Sequence, residues 1–214
     1  MISAPAGLSY VPEFVSTDEE RDLAERIAGL EFRDVVMHGI AARRRTVHFG
    51  WLYGYESWRI EPGPPIPEFF LPLRERAAAL AQVAPEALEE VLVTQYPPGA
   101  GIGWHRDAPM FGPEVVGISL LSPCRMRFQR GKGAERKVYA LELAPRSAYV
   151  LAGQARATWQ HSIPRSPALR YSITFRTVLR SGPSPRAPSR PGRARRRGGP
   201  GRQRQSSAAC RSSP

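Results

Sequence analysis

The chain has 214 residues, of which 42% are hydrophobic, and its 31 lysines and arginines outnumber 19 acidic residues to give a formal net charge of +12. That length and apolar content suit one compact domain with a sizeable core and some additional chain. No apolar run reaches the roughly 20 residues that span a bilayer, and the first residues lack a signal-peptide pattern, so a soluble, cytoplasmic protein without a membrane partner is expected. Two cysteines, Cys124 and Cys210, exclude a disulfide framework or a thiolate zinc site.

The N-terminal half is predicted to contain one strand and two helices. The segment LSYVPEFV at residues 8–15 alternates like a strand. Ser16 and Glu19 have the spacing of a capping box, which predicts a helix through about Leu30. The apolar positions of the segment Pro67–Val83 predict a second helix.

Beyond the second helix the pattern changes to short segments rich in β-branched and aromatic residues, separated by turns that contain proline or glycine. Strands this short are typical of a sandwich or a closed jelly roll, so the predicted fold is mainly β with flanking helices. The predicted strands are Val91–Tyr96, Val115–Leu121, Met126–Gln129, Lys137–Leu143, Ser147–Leu151, Ala157–His161 and Leu169–Val178.

The C-terminal segment, residues 181–214, holds nine arginines and no acidic, aromatic or branched aliphatic residue. Because it cannot bury enough apolar surface to offset the cost of ordering, we predict a disordered tail after a folded domain at residues 1–180. One interpretation is a basic arm that contacts phosphates nonspecifically, and the other is a solvated extension without a partner.

A candidate metal site begins after the glycine-rich turn PPGAG, where His105 and Asp107 are two positions apart. In an extended segment such residues point to the same side, so an imidazole nitrogen and a carboxylate oxygen can reach one ion. His161, 54 residues after Asp107, is the candidate third ligand, because two imidazoles and one carboxylate suit a non-haem Fe(II) centre with open positions. The alternative for His161 is a hydrogen-bonded histidine near a strand end.

The last predicted strand has one polar face, shared by Arg170, Ser172, Thr174 and Arg176 because side chains alternate along a strand. The Cα atoms of the two arginines are about 20 Å apart in an extended strand, which leaves roughly 6 Å between their guanidinium groups, near the span of a five-carbon dicarboxylate. Guanidinium groups bind carboxylates well, so this face is interpreted as an anion site. The alternative is a cross-strand salt-bridge face on an exposed strand.

Together these motifs resemble the AlkB-type family of Fe(II)- and 2-oxoglutarate-dependent dioxygenases. The His-x-Asp pair at residues 105–107, the distant His161 and the Arg-x5-Arg motif at residues 170–176 occur in the order and at the spacing of that family. The resemblance is strong over residues 91–178 and looser over residues 8–55. It implies a double-stranded β-helix (jelly roll) whose catalytic Fe(II) is held by three ligands, His105, Asp107 and His161.

The resemblance also implies which residues bind the cosubstrate 2-oxoglutarate. Its keto-carboxylate end would chelate the iron, and Arg170 and Arg176 would make ionic contacts to its carboxylates. Tyr96 matches the family tyrosine whose hydroxyl contacts 2-oxoglutarate, and Thr94 stands where the family often has asparagine. Two further residues complete the implied cofactor-binding set, Ser172 and Thr174.

Substrate-binding residues are predicted in the segment before the barrel. Residues 43–55, RRRTVHFGWLYGY, combine arginines with aromatic side chains, which suits phosphate contact and base stacking. The segment resembles the nucleotide-recognition lid of the family, which implies that Trp51 and Tyr53 hold the base together with His105. The alternative is that the aromatic side chains pack under the N-terminal helix.

The resemblance implies oxidative dealkylation of alkylated bases in DNA or RNA, with 2-oxoglutarate and dioxygen consumed and succinate released, as in DNA repair. The substrate would be single-stranded or a base flipped out of a duplex, and we expect a monomer. Two alternatives remain open. One is a tRNA or protein hydroxylase or demethylase with the same iron site, and the other is a non-catalytic nucleic-acid-binding module whose arginine-rich tail does the binding.

Overall fold

The computed structural model describes residues 3–37, 40–54 and 59–179. In this part of the chain no helix is both long enough and apolar enough to cross a membrane. The segment predicted to be a disordered tail, residues 181–214, lies outside the described residues.

The described residues form three α-helices, α1 (Thr17–Ala28), α2 (Leu71–Ala81) and α3 (Gly153–Ala157). The predicted capping box is confirmed, because Ser16 Oγ accepts from the Glu19 N–H at 3.1 Å and the Glu19 carboxylate accepts from the Ser16 N–H at 2.8 Å. Both helices predicted in the N-terminal half are present. Their bounds are shorter than predicted, and a 3-10 turn precedes α2.

Most of the fold consists of antiparallel strands in two main sheets. A seven-stranded sheet has the order β1-β11-β8-β13-β6-β3-β2, a four-stranded sheet has the order β10-β9-β12-β7, and β4 and β5 form a small ribbon. This arrangement is the predicted jelly roll. In chain order, β1 to β13 are Leu8–Val11, Arg33–Met37, Ile40–Phe49, Trp51–Tyr53, Ile60–Pro62, Leu88–Tyr96, Ile102–His105, Phe111–Leu120, Cys124–Arg130, Lys137–Leu143, Ser147–Leu151, Gln160–Ile163 and Arg170–Val178.

Alternation along β13 divides the molecule into a packed core and a cavity. Tyr171, Ile173 and Phe175 point to one side, where they join the apolar cluster that contains Ile27 of α1 and Leu73 of α2. The side chains at the even-numbered positions from Arg170 to Arg176 point to the other side and line a cavity shared with the four-stranded sheet. The helices therefore cover the outer face of the large sheet and leave its inner polar face available for a site.

One predicted strand, Ala157–His161, is wrong in its first half. Residues Gly153–Ala157 form α3, and the strand covers Gln160–Ile163 instead. Gly153 adopts a positive φ of 49°, which lets the chain turn directly after β11, and the following Gln-Ala-Arg-Ala residues are good helix formers. His161 is consequently the second residue of its strand.

Five strands, β2 to β5 and β7, lie where no strand was predicted. The longest of them, β3, is hard to recognise because consecutive arginines occupy both of its faces. Arg43 and Arg45 are exposed, whereas Arg44 and Thr46 are buried. The segment interpreted as a lid is therefore partly a strand of the large sheet, paired directly with β6.

Candidate active site

The two sheets enclose a cavity of about 380 Å³, a volume within the range of small-ligand sites. Its walls come from β3, β6, β8, β11 and β13 on one side and from β7, β9 and β12 on the other. It brings together ten of the eleven predicted site residues, namely Tyr53, Thr94, Tyr96, His105, Asp107, His161, Arg170, Ser172, Thr174 and Arg176.

The candidate metal ligands meet where β7 pairs with β12. His105 and His161 are directly opposite each other in the register, and their ring centroids are 4.3 Å apart. Asp107 follows β7 by two residues, and one ligand atom from each of the three side chains lies within 4.8 Å of the others. His105 Nδ1 lies 2.9 Å from the Gly103 carbonyl, a hydrogen bond that directs Nε2 toward the cluster.

The charges around this cluster favour metal binding. Burial lowers the pKa of His161 from 6.5 to about 3, with a further contribution from His105, and burial also lowers the pKa of His105. Burial opposes ionisation of Asp107, but Arg176 and the two imidazoles outweigh it and hold the pKa of that carboxyl well below its ordinary value. Two neutral imidazoles and an ionised carboxylate are the protonation states that bind a divalent ion, and this donor set suits Fe(II).

Arg176 connects the cluster to a buried carboxylate that the sequence interpretation missed. Its Nη2 donates to Asp107 Oδ1 at 3.1 Å, and its Nη1 lies 3.5 Å from Glu90 Oε2. Glu90 is fully buried on β6, opposite Arg176 in the register, and lies 2.9 Å from His48 Nδ1 on β3. The acidic partners of this arginine therefore come from outside its own strand.

Arg170, at the other end of the same face, is 1% exposed and is suited to bind an anion. Its Nε donates to Ser119 Oγ at 3.0 Å, and its guanidinium lies 5.1 Å from the ring centroid of Tyr96. Its Nη1 is buried and has no hydrogen-bond partner among the described residues. A buried cationic donor in this state is satisfied by a carboxylate, as the cosubstrate would provide.

The remaining predicted cosubstrate residues lie beside Arg170. Tyr96 is directly opposite Arg170 across the β6–β13 pair, and Thr94 is opposite Ser172. Burial raises the pKa of Tyr96, although the nearby arginines counteract it, so its hydroxyl is protonated and can donate a hydrogen bond at neutral pH.

The loop that carries Asp107 is held by a second arginine that was not predicted. Arg156 of α3 donates to three backbone carbonyls, those of Asp107 at 3.2 Å, Ala108 at 2.9 Å and Phe111 at 3.1 Å. These bonds tie the segment after the metal-binding pair to α3. They fix the position of the Asp107 backbone.

The two predicted substrate residues have different positions. Tyr53 lines the cavity and packs edge-on against Phe111, with 5.8 Å between ring centroids. Trp51 does not line the cavity, and its Nε1 donates to Glu89 Oε2 at 3.3 Å. The structure therefore brings only Tyr53 of this pair to the site.

Alternation would have identified two cavity residues that were missed and one buried residue beside the cavity. Arg44 lines the cavity from β3 and Tyr149 lines it from β11. Glu90 shares a face of β6 with Thr94 and Tyr96 and contacts the cavity residue Arg176. The strand β6 starts three residues before its predicted start, and β3 was interpreted as a lid, so neither Glu90 nor Arg44 was assigned to a face. No sequence pattern identifies Arg156, because its hydrogen-bond partners are backbone carbonyls, which every residue has.

A family model described as the 2OG-Fe(II) oxygenase superfamily matches residues 7–176. The chain is 30% identical over 208 residues to the "Alkylated DNA repair protein ALKBH8 homolog" of Arabidopsis thaliana, covering 80% of this chain and 58% of that protein. It is also 30% identical over 179 residues to the mouse "tRNA (carboxymethyluridine(34)-5-O)-methyltransferase ALKBH8", covering 74% of this chain and 24% of that protein. The chain thus spans less than two thirds of the length of either relative.

Solved structures show the same fold. "The structure of OsALKBH1" superposes with a TM-score of 0.63 at 18% identity and covers 83% of this chain and 99% of that chain. A prolyl-4-hydroxylase of Pseudomonas putida superposes with a TM-score of 0.56 at 17% identity and covers 81% of this chain and 93% of that chain. With the family match over residues 7–176, the chain belongs to the 2OG-Fe(II) oxygenase superfamily as an AlkB-type dioxygenase, an enzyme that uses Fe(II), 2-oxoglutarate and dioxygen.

Proposed function

We propose that this chain oxidatively removes alkyl groups from bases in nucleic acid, as in the repair of alkylated DNA. The observation that carries the proposal is the composition of the cavity. The wall from the four-stranded sheet carries the two histidines of the His-Asp-His cluster, and the opposite wall carries the buried Arg170. The strands before the barrel contribute an aromatic ring, Tyr53, and a further cation, Arg44. The names of the relatives, which include DNA repair and tRNA modification, support a nucleic-acid substrate.

In this proposal His105, Asp107 and His161 hold the iron. When bound, Fe(II) and 2-oxoglutarate supply the activation of dioxygen, with release of succinate and carbon dioxide. Arg176 keeps Asp107 ionised and oriented through its 3.1 Å contact. Arg156 holds the Asp107 backbone from the other side, so both ends of this ligand are positioned before the metal binds.

The cosubstrate lies along the inner face of β13. Arg170 supplies the Nη1 donor that has no partner among the described residues, so we assign it an ionic contact to one carboxylate, with Arg176 contacting the other. Tyr96 and Thr94 add hydroxyl groups from β6, and Ser172 and Thr174 add them from β13 itself. All six side chains line the cavity wall.

The base would enter beside Tyr53, single-stranded or flipped out of a duplex, because a stacked and paired base cannot reach an enclosed cavity. The rings of Tyr53 and Phe111 pack edge-on against each other at this end of the cavity. Hydroxylation of an N-linked alkyl carbon gives a product that breaks its carbon–nitrogen bond, so the base regains its proton and the alkyl group leaves as an aldehyde.

A second candidate is hydroxylation or demethylation of tRNA by the same iron site. The specific observation in its favour is that relatives from mouse, macaque and frog share a name that describes tRNA modification. For those proteins the chain matches only about a quarter of the length, so the name supports a substrate class and not a shared activity of the whole protein.

We also propose that residues 1–180 form the catalytic domain, that the chain acts as a cytoplasmic monomer, and that the basic segment at residues 181–214 increases the affinity for nucleic acid. A truncated chain that ends at Arg180 should bind less tightly and with a smaller salt dependence while retaining turnover.

The experiment is succinate formation by the purified full chain with Fe(II), 2-oxoglutarate and ascorbate in air. N-methylated single-stranded DNA, N-methylated RNA, tRNA and a methyl-lysine peptide are compared as substrates, with Asp107→Ala as the inactive control and Glu86→Gln as a matched surface control. Stimulation by DNA or RNA supports the first candidate, and stimulation by tRNA alone supports the second. Stimulation by the peptide alone would refute both.

A further inference from the structure

A second cavity of about 530 Å³ lies beside the catalytic cavity and opens to solvent. Its charged wall is made by three arginines from separate parts of the chain, Arg43 of β3, Arg127 of β9 and Arg165 of the turn after β12. We call it the arginine groove. Ile102, Gly103 and Ile163 line both cavities, so the groove and the catalytic cavity share a wall.

The floor of the arginine groove is backbone from the glycine-rich turn. Gly99 has a φ of 82°, and a Cβ at this position would lie 3.0 Å from Arg43 Nη1, so the guanidinium rests against the glycine backbone. A Cβ at Gly101 would come within 2.7 Å of the Ile163 carbonyl oxygen. Gly99 therefore lets the turn lie against Arg43, and Gly101 lets it lie against the backbone of Ile163 and Pro164.

Arg127 is held in a fixed orientation. Its Nε donates to Ser162 Oγ at 3.2 Å on the neighbouring strand, and its guanidinium lies 5.1 Å from the ring centroid of Trp104. Arg136 lies 6.0 Å from the same ring. An arginine that is oriented by its Nε and by an aromatic ring presents its Nη edge for bidentate binding of an oxyanion.

The arginines of the groove are not neutralised within the part of the chain that the structure describes. None of Arg43, Arg127 and Arg165 forms an ion pair with a described acidic residue, whereas Arg125, two positions before Arg127 on the same outward face, pairs with Glu142 at 3.4 Å. Three cations that line one groove without acidic partners make a site for an anion that carries more than one charge.

We propose that the arginine groove binds the phosphodiester backbone of single-stranded nucleic acid, next to the base that occupies the catalytic cavity. The inference rests on the proposed function and specifies it, because it makes a polynucleotide, and not a free nucleoside, the preferred substrate. Each arginine contacts a phosphate, and these contacts set affinity without reading the base sequence.

The shared wall is the reason to choose this occupant over an acidic peptide. A nucleotide whose base lies in the catalytic cavity has its flanking phosphates just outside that cavity. Gly103 lines both cavities, and a Cβ at this position would meet no atom within 4 Å, so this part of the shared wall is open. A strand can therefore pass from the groove to the cavity mouth without displacing a side chain at this position.

The test is the salt dependence of binding to a methylated single-stranded oligonucleotide, measured with the full chain. Neutralising one phosphate contact changes the slope of log K against log salt concentration by about 0.7 for single strands, so Arg43→Gln/Arg127→Gln/Arg165→Gln should reduce the slope by about 2. Between 50 and 200 mM salt the wild-type affinity should then fall roughly 20-fold more than that of the variant. Arg125→Gln, which removes the same charge from the same face of β9, should keep the wild-type slope.

Turnover provides the second readout. The ratio of kcat/KM for the oligonucleotide to that for the free methylated nucleoside should fall at least tenfold in the triple variant, through KM for the oligonucleotide. If the triple variant still demethylates oligonucleotides with the wild-type salt slope and the wild-type kcat/KM ratio, the groove does not bind the phosphodiester backbone. The proposed function would then still stand. Absence of turnover on every nucleic acid by the wild-type chain would instead overturn the proposed function. A poly-glutamate peptide and an unmethylated oligonucleotide of equal charge are compared as competitors for binding of the methylated oligonucleotide. If they compete equally well, the groove binds acidic peptides instead.

Discussion

Replacement of Glu90 should destabilise the protein and weaken the cosubstrate site together. This carboxylate is fully buried and accepts from two groups, Arg176 at 3.5 Å and His48 at 2.9 Å. Glu90→Ala leaves both donors without this acceptor inside the protein, which costs about 3–5 kcal/mol of unfolding free energy for a broken buried ion pair. Glu90→Gln keeps one acceptor oxygen and removes the charge, so the expected loss is about 1.5–3 kcal/mol.

The same substitution tests whether Glu90 is a positioning residue. Without it Arg176 can shift toward Asp107, so the KM for 2-oxoglutarate should rise more than kcat falls. Urea unfolding followed by circular dichroism gives the free energies, succinate formation gives the kinetic constants, and the exposed Glu86→Gln serves as control, with an expected change below about 0.5 kcal/mol. The reasoning fails if Glu90→Ala unfolds like the control, because the network would then carry no net stability.

Three further results are expected. Asp107→Ala should reduce Fe(II) binding and succinate formation at least about 100-fold, as measured by metal content and turnover, because the ligand set loses its charged member. Arg170→Gln should raise the KM for 2-oxoglutarate about 10- to 100-fold, because it removes one charge-assisted contact, while Arg125→Gln should leave this KM unchanged. Equal KM values in the two variants would show that the cosubstrate binds elsewhere. The metal-free protein should lose stability as the pH falls below about 6.5, because the unfolded chain protonates His161 first while the folded pKa is about 3. The expected loss between pH 6.5 and 5 is about 2 kcal/mol, and urea unfolding of His161→Gln should lack this part of the pH dependence.

Local patterns were sufficient to predict the elements that are bounded by turn residues or that begin at a cap. The bounds predicted for Lys137–Leu143 and Ser147–Leu151 are those observed, and the polar face of β13 is the one that lines the cavity. The helix after Ser16 was predicted because a capping box is a local hydrogen-bond arrangement. In each of these elements the information lies within a few residues of sequence.

The features that were missed depend on tertiary contacts. The role of Glu90 depends on its contacts with Arg176 and His48, which are 86 and 42 positions away in the sequence. Trp51, predicted to hold the base, points to Glu89 because β3 and β6 pair and bring those segments together. Spacing along the chain cannot show which distant group neutralises a buried charge, so these partners become visible only when the strand order is known.

The charge balance of the cavity links the iron site to the choice of substrate. Four arginines line the cavity, Arg44, Arg106, Arg170 and Arg176, and supply four positive charges. Asp107 and Glu90, which contacts Arg176, supply two negative ones, while burial keeps the two histidines neutral. Fe(II) and dianionic 2-oxoglutarate carry equal and opposite charges, so their binding leaves the excess of two positive charges unchanged. In an enclosed site this excess attracts an anionic nucleotide and repels a methylated lysine, which is itself a cation. The arginines of the cavity therefore support the proposed nucleic-acid substrate over a methyl-lysine peptide.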